Sequence, residues 1–138
     1  MRNNTETSQI LGIDFGEAKV GLAMADTETK IAFVYATLKN GEKFLAELIE
    51  IIKKEDIKKI VIGIPAYLHQ EKERSAGEKL GDSIRRILPE IPIEYQNEMF
   101  TTKSAQDNLR AKGVKNVGKY DDAEAAKIIL QEWLEKSF

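Results

Sequence analysis

Four acidic residues stand where a catalytic carboxylate could be placed. Asp14 directly follows an apolar run, in Gly12-Ile13-Asp14-Phe15-Gly16. A charge at the end of a central strand is costly to desolvate unless it is paired or bound to a metal. Gly12 and Gly16 on either side would let a phosphate or another backbone come close. A strand-end Asp that merely starts a turn accounts for the same residue. Glu98 lies in Tyr95-Gln96-Asn97-Glu98-Met99-Phe100-Thr101-Thr102, after a short apolar segment, where a solvated Glu between strand and helix is the ordinary explanation. Asp121 and Asp122 open the last apolar-periodic stretch. Asp121 with Glu124 three residues on reads as a capping-box-like pair, and negative charge suits a helix N-terminus. That role uses one of the two acids. Asp122 is then expected in the first turn beside Ala125 and Ala126, whose small side chains would let the helix approach a sheet and turn Asp122 inward.

Asp14, Glu98 and Asp122 together suggest more than any one of them. Two-metal phosphoryl chemistry needs several carboxylates from different elements, converging on two cations roughly 3.5–4 Å apart. One cation activates the attacking water and the other stabilises the leaving oxygen. An acid at a central strand end, one beyond another strand and one at a helix start have the right origins for such a site. The chain has no cysteine and one histidine, so Cys-based zinc sites and Cys nucleophiles are excluded and His-based sites are disfavoured. Carboxylate ligands suit Mg²⁺ or Mn²⁺.

The elements that must position these acids follow from periodicity. Apolar runs predict strands over Ile10–Asp14, Val20–Asp26 and Ile31–Leu38, joined by short links that favour an antiparallel meander. Phe44, Leu45, Leu48, Ile49 and Ile52 have helical spacing within Gly41–Lys54. Lys58–Ile64 is a nearly continuous apolar run ended by Pro65, as expected of a strand covered on both faces. Ala66–Lys72 reads as a loop and Gly77–Leu88 as a helix, with Gly81 costing that helix roughly 1 kcal/mol relative to Ala. A strand over Ile93–Asn97 is followed by a helix over Thr102–Lys112 capped by Thr101 or Thr102. Gly113–Tyr120 reads as a loop. A last helix runs from about Asp122 to Lys136, with Ala126, Ile129, Leu130 and Trp133 on one stripe. Three antiparallel strands followed by parallel crossovers predict an α/β three-layer fold: a mixed five-stranded sheet with helices on both faces.

The bulk properties bound the rest. A chain of 138 residues is the usual size of one domain, expected over residues 10–138. Residues 1–9 are polar and lack the apolar core of a signal peptide, so they read as a short disordered tail on a cytoplasmic protein with no membrane span. The formal net charge of −2 gives no global attraction to nucleic acid, so any affinity must come from a local patch.

Four segments carry a resemblance to a known family. Gly12-Ile13-Asp14-Phe15-Gly16, continuing through Lys19-Val20-Gly21-Leu22-Ala23 to Asp26, resembles the opening of the YqgF family. Those proteins are Holliday-junction-resolvase-like and are proposed to process pre-16S rRNA. Val61-Ile62-Gly63-Ile64-Pro65 is similar to that family's strand ending in Gly-Leu-Pro. Glu98-Met99-Phe100-Thr101-Thr102, then Ala105 and Leu109, is similar to its Asp-Glu-Arg-Leu-Thr-Thr segment. Asp122-Ala123-Glu124-Ala125-Ala126, then Ile129-Leu130-Gln131, is similar to its Asp-x-x-Ala-Ala…Ile-Leu-Gln segment. The likeness runs from about Ile10 to Leu134, with all four segments in the family's order. It implies a ribonuclease-H-like fold and a divalent-metal nuclease site in which Asp14, Glu98 and Asp122 hold the acidic positions. Asn97 stands where the family usually has Asp, and Met99 where it usually has Arg. Glu17 and Lys19 replace its usual Thr and Arg. The segment after Pro65 lacks its usual Asn and Asp-Gly turn. A methionine cannot replace the bidentate phosphate contact of the family's arginine.

Substrate contacts are expected from Arg110, Lys112, Lys115 and Lys119, a basic segment without acids that leads up to Asp122. An ordinary solvated loop is the competing account of that segment. Lys19 is a further candidate phosphate contact near Asp14. Phe15, Tyr67, Phe100 and Tyr120 read as core residues before stacking residues. His69 reads as an exposed loop residue and Trp133 as core. The expected activity is 5′-end processing of precursor 16S rRNA. Resolution of four-way DNA junctions is the first alternative, and would favour a homodimer over a monomer. A ribosome-assembly module that binds nucleic acid with little catalysis is the second. Gly-Ile-Asp-Phe-Gly also resembles a phosphate-binding turn of actin- and Hsp70-like ATPases, which close two related domains on the nucleotide where this chain has length for one.

Overall fold

The continuous apolar runs form strands because both of their faces are covered. In the computed structural model, which describes residues 8–64, 75–97 and 118–137, five strands make one sheet. They are β1 (Gln9–Phe15), β2 (Lys19–Asp26), β3 (Phe33–Lys39), β4 (Ile57–Ile64) and β5 (Ile93–Asn97), in the spatial order β3-β2-β1-β4-β5. The pairs β1–β2 and β2–β3 are antiparallel, while β1–β4 and β4–β5 are parallel. This is the expected mixed five-stranded sheet, with β1 at its centre.

Helices α1 (Phe44–Lys54) and α2 (Ala76–Ile87) cover one face, and α3 (Gly118–Ser137) covers the other. Alternation along β2 divides the core in two. Val20, Leu22 and Met24 join Phe44, Leu48, Ile52, Leu80 and Ile84, whereas Ala23 and Ala25 join Ala126, Ile129, Leu130 and Trp133. Small residues on the second face let α3 lie close to the strands. Fully burying one aliphatic side chain contributes about 1.5–3 kcal/mol, so both layers hold the sheet strongly.

Local chemistry sets the helix ends. Ser75 caps α2: its Oγ accepts from the Glu78 N–H at 3.2 Å, and the Glu78 carboxylate accepts from the Ser75 N–H at 2.9 Å. Gly81 leaves the space on α2 that the Tyr95 hydroxyl fills, so this glycine has a packing reason. Tyr35 donates to Glu55 Oε2 at 2.7 Å, and that bond, with burial and the nearby charge, raises the phenol's pKa above its ordinary value. Gln131 fastens α3 to the β2–β3 link, accepting from the Ala32 N–H at 2.8 Å. Two residues further along α3, Trp133 Nε1 donates to Glu94 Oε1 at 3.0 Å, and Lys59 lies 5.1 Å from the indole ring.

Two boundaries differ from expectation. Gln9 is the first residue of β1, and Ser8 exchanges hydrogen bonds with Thr27, so the ordered chain reaches into the tail expected over 1–9. Helix α3 begins at Gly118, so Gly118–Tyr120 are helical where a loop was expected. Asp121 therefore lies inside the helix and cannot be its N-cap, and Asp122 is its fifth residue, beyond the first turn. The capping signal misled because Asp-Asp after Gly118 has the composition of a helix start. Glu124, expected to complete the capping box, instead pairs with Lys127 at 3.2 Å. The helix expected over Thr102–Lys112 and the loop over Ala66–Lys72 lie outside the described residues.

A candidate carboxylate site at the strand ends

One edge of the sheet gathers the C-terminal ends of β1, β4 and β5 and the start of β2. Asp14, next to last in β1, is the register partner of Gly21 in β2. The side of Gly21 that lacks a side chain faces α3. A Cβ built there would collide with the backbone carbonyl of Asp122 and come within 2.7 Å of the Ala123 nitrogen. Directly opposed residues of an antiparallel pair point to the same face, so Asp14 also faces α3. Asp122 is half-buried and shares the sheet-facing stripe of Ala125, Ala126, Ile129 and Leu130. The backbone of Asp122 thus packs on the register partner of Asp14, because a glycine at that position admits the helix.

The same face continues across the sheet. Gly12 lies under α3, where its Cβ would stand 2.7 Å from Leu130 Cβ and 3.3 Å from the Ala126 carbonyl oxygen. Ile13 pairs with Ile62, and continuing that register by one residue sets Asp14 beside Gly63. Gly63 is covered by Ile129 Cδ1, at 2.5 Å from the position of a Cβ. Gly63 in turn pairs with Gln96. Gly21, Asp14, Gly63 and Gln96 form one row along the edge, all on the α3 side.

Gln96 is 4% exposed. Its Nε2 donates to the Asn97 carbonyl at 3.3 Å, and its Oε1 has no donor among the described residues. A buried acceptor left without a partner costs about 1–3 kcal/mol. Sequence reading missed Gln96 because one polar residue in a five-residue strand looks like the solvent-facing half of an alternation. It also gave no role to Gly21 or Gly63, although glycine inside a strand signals close approach of another backbone.

The other candidates separate clearly. Lys19 is exposed at the start of β2, two residues before Gly21 and so on the α3 side. Gly16 closes the β1–β2 turn, donating its N–H to the Lys19 carbonyl at 3.0 Å, so both flanking glycines serve protein backbone. Lys119 lies in the first turn of α3 and not in a loop. Phe15 packs on the α1–α2 side, 5.6 Å from the Phe44 ring, and Trp133 is buried, both as expected of core residues. Glu98, Thr101, Thr102, Arg110, Lys112, Lys115, Tyr67, His69 and Phe100 lie outside the described residues. Among the described residues no group of three or more His, Cys, Asp or Glu side chains is placed to hold a metal. Asp14 and Asp122, on elements packed together through Gly21, carry hard oxygen donors of the kind that fits Mg²⁺ or Mn²⁺. No helix among the described residues is long and apolar enough to cross a membrane.

The sheet order and the helix layers define a ribonuclease-H-like fold of the resolvase type. Two solved structures share it. The Fowlpox virus resolvase with Holliday junction DNA gives a TM-score of 0.62 at 12% identity, covering 93% of this chain and 97% of that one. RuvC of T. thermophilus with a Holliday junction substrate gives 0.55 at 14% identity, covering 94% of each. The family model described as "RuvX: Holliday junction resolvase" matches residues 8–136, and the chain belongs to that family. Its relatives include the protein named "Putative pre-16S rRNA nuclease" in Maridesulfovibrio salexigens, 33% identical over 94% of this chain and 99% of the relative. A relative of the same name in Chloroflexus aggregans is 30% identical over 91% of this chain and 92% of its own length.

Proposed function

We propose that this chain is a divalent-metal-dependent endonuclease that hydrolyses phosphodiester bonds in the 5′-end processing of pre-16S rRNA. The observation that carries the reading is the packing of the Asp122 backbone on Gly21, the register partner of Asp14, at the strand ends. With Glu98 following β5, these acids are the proposed Mg²⁺ or Mn²⁺ ligands. Cations bound there would supply activation of the attacking water and charge stabilisation at the leaving oxygen. The protein's own part is to hold the carboxylates on rigid elements, so that little reorganisation is needed when the phosphate arrives. Lys19, on the same side of the sheet, is proposed to contact the phosphate backbone. Arg110, Lys112, Lys115 and Lys119 would extend that path. The names borne by the relatives support RNA as substrate.

A second reading, cleavage of four-way DNA junctions, is supported by the family's description and by the two resolvase structures of like fold. One experiment decides between them. A precursor-rRNA fragment and a four-way DNA junction are incubated with the protein in Mn²⁺, in Mg²⁺ and in chelator, beside Asp14→Asn. The expected result is metal-dependent cutting of the RNA that falls at least a hundredfold in the variant. Cutting of the junction alone transfers the reading to DNA. Binding without cutting under every condition refutes catalysis and favours an assembly role.

A further inference from the structure

Two lysines stand directly opposite one another at the end of the sheet that holds the candidate site. Lys19 opens β2, Lys39 closes β3, and the two are register partners. Val20 and Leu38, the next pair inward, both pack in the α1–α2 core, so Lys19 and Lys39 face the α3 side, as Asp14 does. Both are exposed. Asn40 donates its N–H to the Ala18 carbonyl at 2.9 Å, so Ala18 and Asn40 form a hydrogen-bonded pair and Lys19 and Lys39 a non-hydrogen-bonded one. Pairs of the second kind hold their Cα atoms about 4.5 Å apart, with the side chains at their closest. Like charges directly opposed destabilise a sheet. Among the described residues neither lysine forms an ion pair, not even with Glu17 and Glu42, the nearest acids in sequence. Resting on the nuclease reading above, we propose that Lys39 is a nucleic-acid-binding residue that, with Lys19, holds the phosphodiester backbone of the substrate beside the cleaved bond.

The backbone that carries the pair is fixed to the site. Asn40 Nδ2 donates to the Gly16 carbonyl at 2.8 Å, and the Gly16 N–H donates to the Lys19 carbonyl at 3.0 Å, so the end of β3 is tied to the turn that follows Asp14. The pair lies two residues beyond the row of Gly21 and Asp14, about 7 Å along the strands. At that offset the lysines meet a phosphate next to the cleaved one, whose own charge falls to the carboxylate-bound cation. An ammonium is a point charge on a flexible stem, without the fixed fork of a guanidinium, so the pair grips the backbone and reads no sequence. An anion between two ammonium groups also offsets their mutual repulsion, so part of what the free sheet loses is returned when substrate arrives.

The test is Lys39→Gln in the full chain, beside Lys39→Arg, Lys54→Gln and the wild type. Binding of a fluorescent single-stranded precursor-rRNA fragment is followed by anisotropy in chelator, from about 0.05 to 0.5 M NaCl. Each single-strand phosphate contact contributes about 0.7 to the slope of log K against log salt. Lys39→Gln is expected to lose about that much slope and about fivefold in affinity at about 0.1 M salt, and Lys39→Arg to keep both. Lys54→Gln removes the same charge from the last turn of α1 and is expected to bind as the wild type does. In low salt Lys39→Gln is also expected to melt at or above the wild-type temperature, because two opposed charges have been reduced to one. Wild-type slope and affinity in Lys39→Gln, or an equal loss in Lys54→Gln, overturns the inference, and the nuclease reading stands if the wild type still cuts RNA in Mn²⁺. Affinity lost together with a lowered melting temperature assigns Lys39 to structure and also overturns it. A wild type that neither binds nor cuts the fragment overturns both.

Discussion

Adding one methyl group at Gly21 should separate the two acids. A Cβ there meets the Asp122 carbonyl and stands 2.7 Å from the Ala123 nitrogen, where ordinary contact begins at 3.4 Å. Both neighbours are helix backbone, which cannot rotate aside. The start of α3 must therefore withdraw from β2 by at least about 0.7 Å, and overpacking of this kind costs about 1–3 kcal/mol. For a chain of this length each kcal/mol lowers Tm by about 3–5 °C, so Gly21→Ala should melt roughly 3–15 °C below the wild type. A displacement near 1 Å at a reacting centre costs about a hundredfold in rate. The assay is metal-dependent cleavage well below both melting temperatures. Two comparisons separate displacement from destabilisation. Ile129→Val lightens the α3 layer at about 0.5–1.5 kcal/mol without pushing the helix, and should keep its activity. Gly41→Ala, where nothing lies within 4 Å of a Cβ, should change neither quantity. Wild-type activity in Gly21→Ala, or an equal loss in Ile129→Val, would refute the wedge argument.

Two further predictions concern the scaffold. Hydrogen bonds from Lys59 and Trp133 hold the Glu94 carboxyl below its ordinary pKa of 4.5. A lowered folded-state pKa stabilises above the unfolded value and loses that contribution as pH falls through the folded one. Urea titrations should therefore show the advantage of wild type over Glu94→Gln fully at pH 7 and closing below about pH 4. Because Glu94 is 47% exposed, the advantage should stay below about 1 kcal/mol. Removing the α2 cap with Ser75→Ala should cost about 1 kcal/mol, read by the same titration, while Glu78→Gln, which can still reach back, should cost much less.

The strands were legible because continuous apolar runs such as Lys58–Ile64 have few alternatives, and the short β1–β2 and β2–β3 links dictated their antiparallel pairing. The start of α3 was not, since Gly118 and two aspartates imitate a cap while tertiary packing on Gly21 carries the helix further back. Asp14 and Asp122 were legible as candidates by residue type. The packing of α3 at Asp122 onto the strand beside Asp14 was not, because it depends on which strand residue lacks a side chain beneath the helix. Gln96 was hidden by its own chemistry: polarity suggests exposure, and only the pairing with Gly63 shows that this strand end is covered.

Asp14 and Asp122 are 108 positions apart, and this spacing gives the molecule a history as well as a shape. Chains are made from the N-terminus at about 5–20 residues per second, so the second acid follows the first by roughly 5–20 s. The meander and both parallel pairings can assemble in that interval, but α3 has yet to arrive. On the proposed reading, a chain still being synthesised carries a nearly finished sheet and no cutting site. Cleavage is withheld until synthesis has passed the residue that completes it.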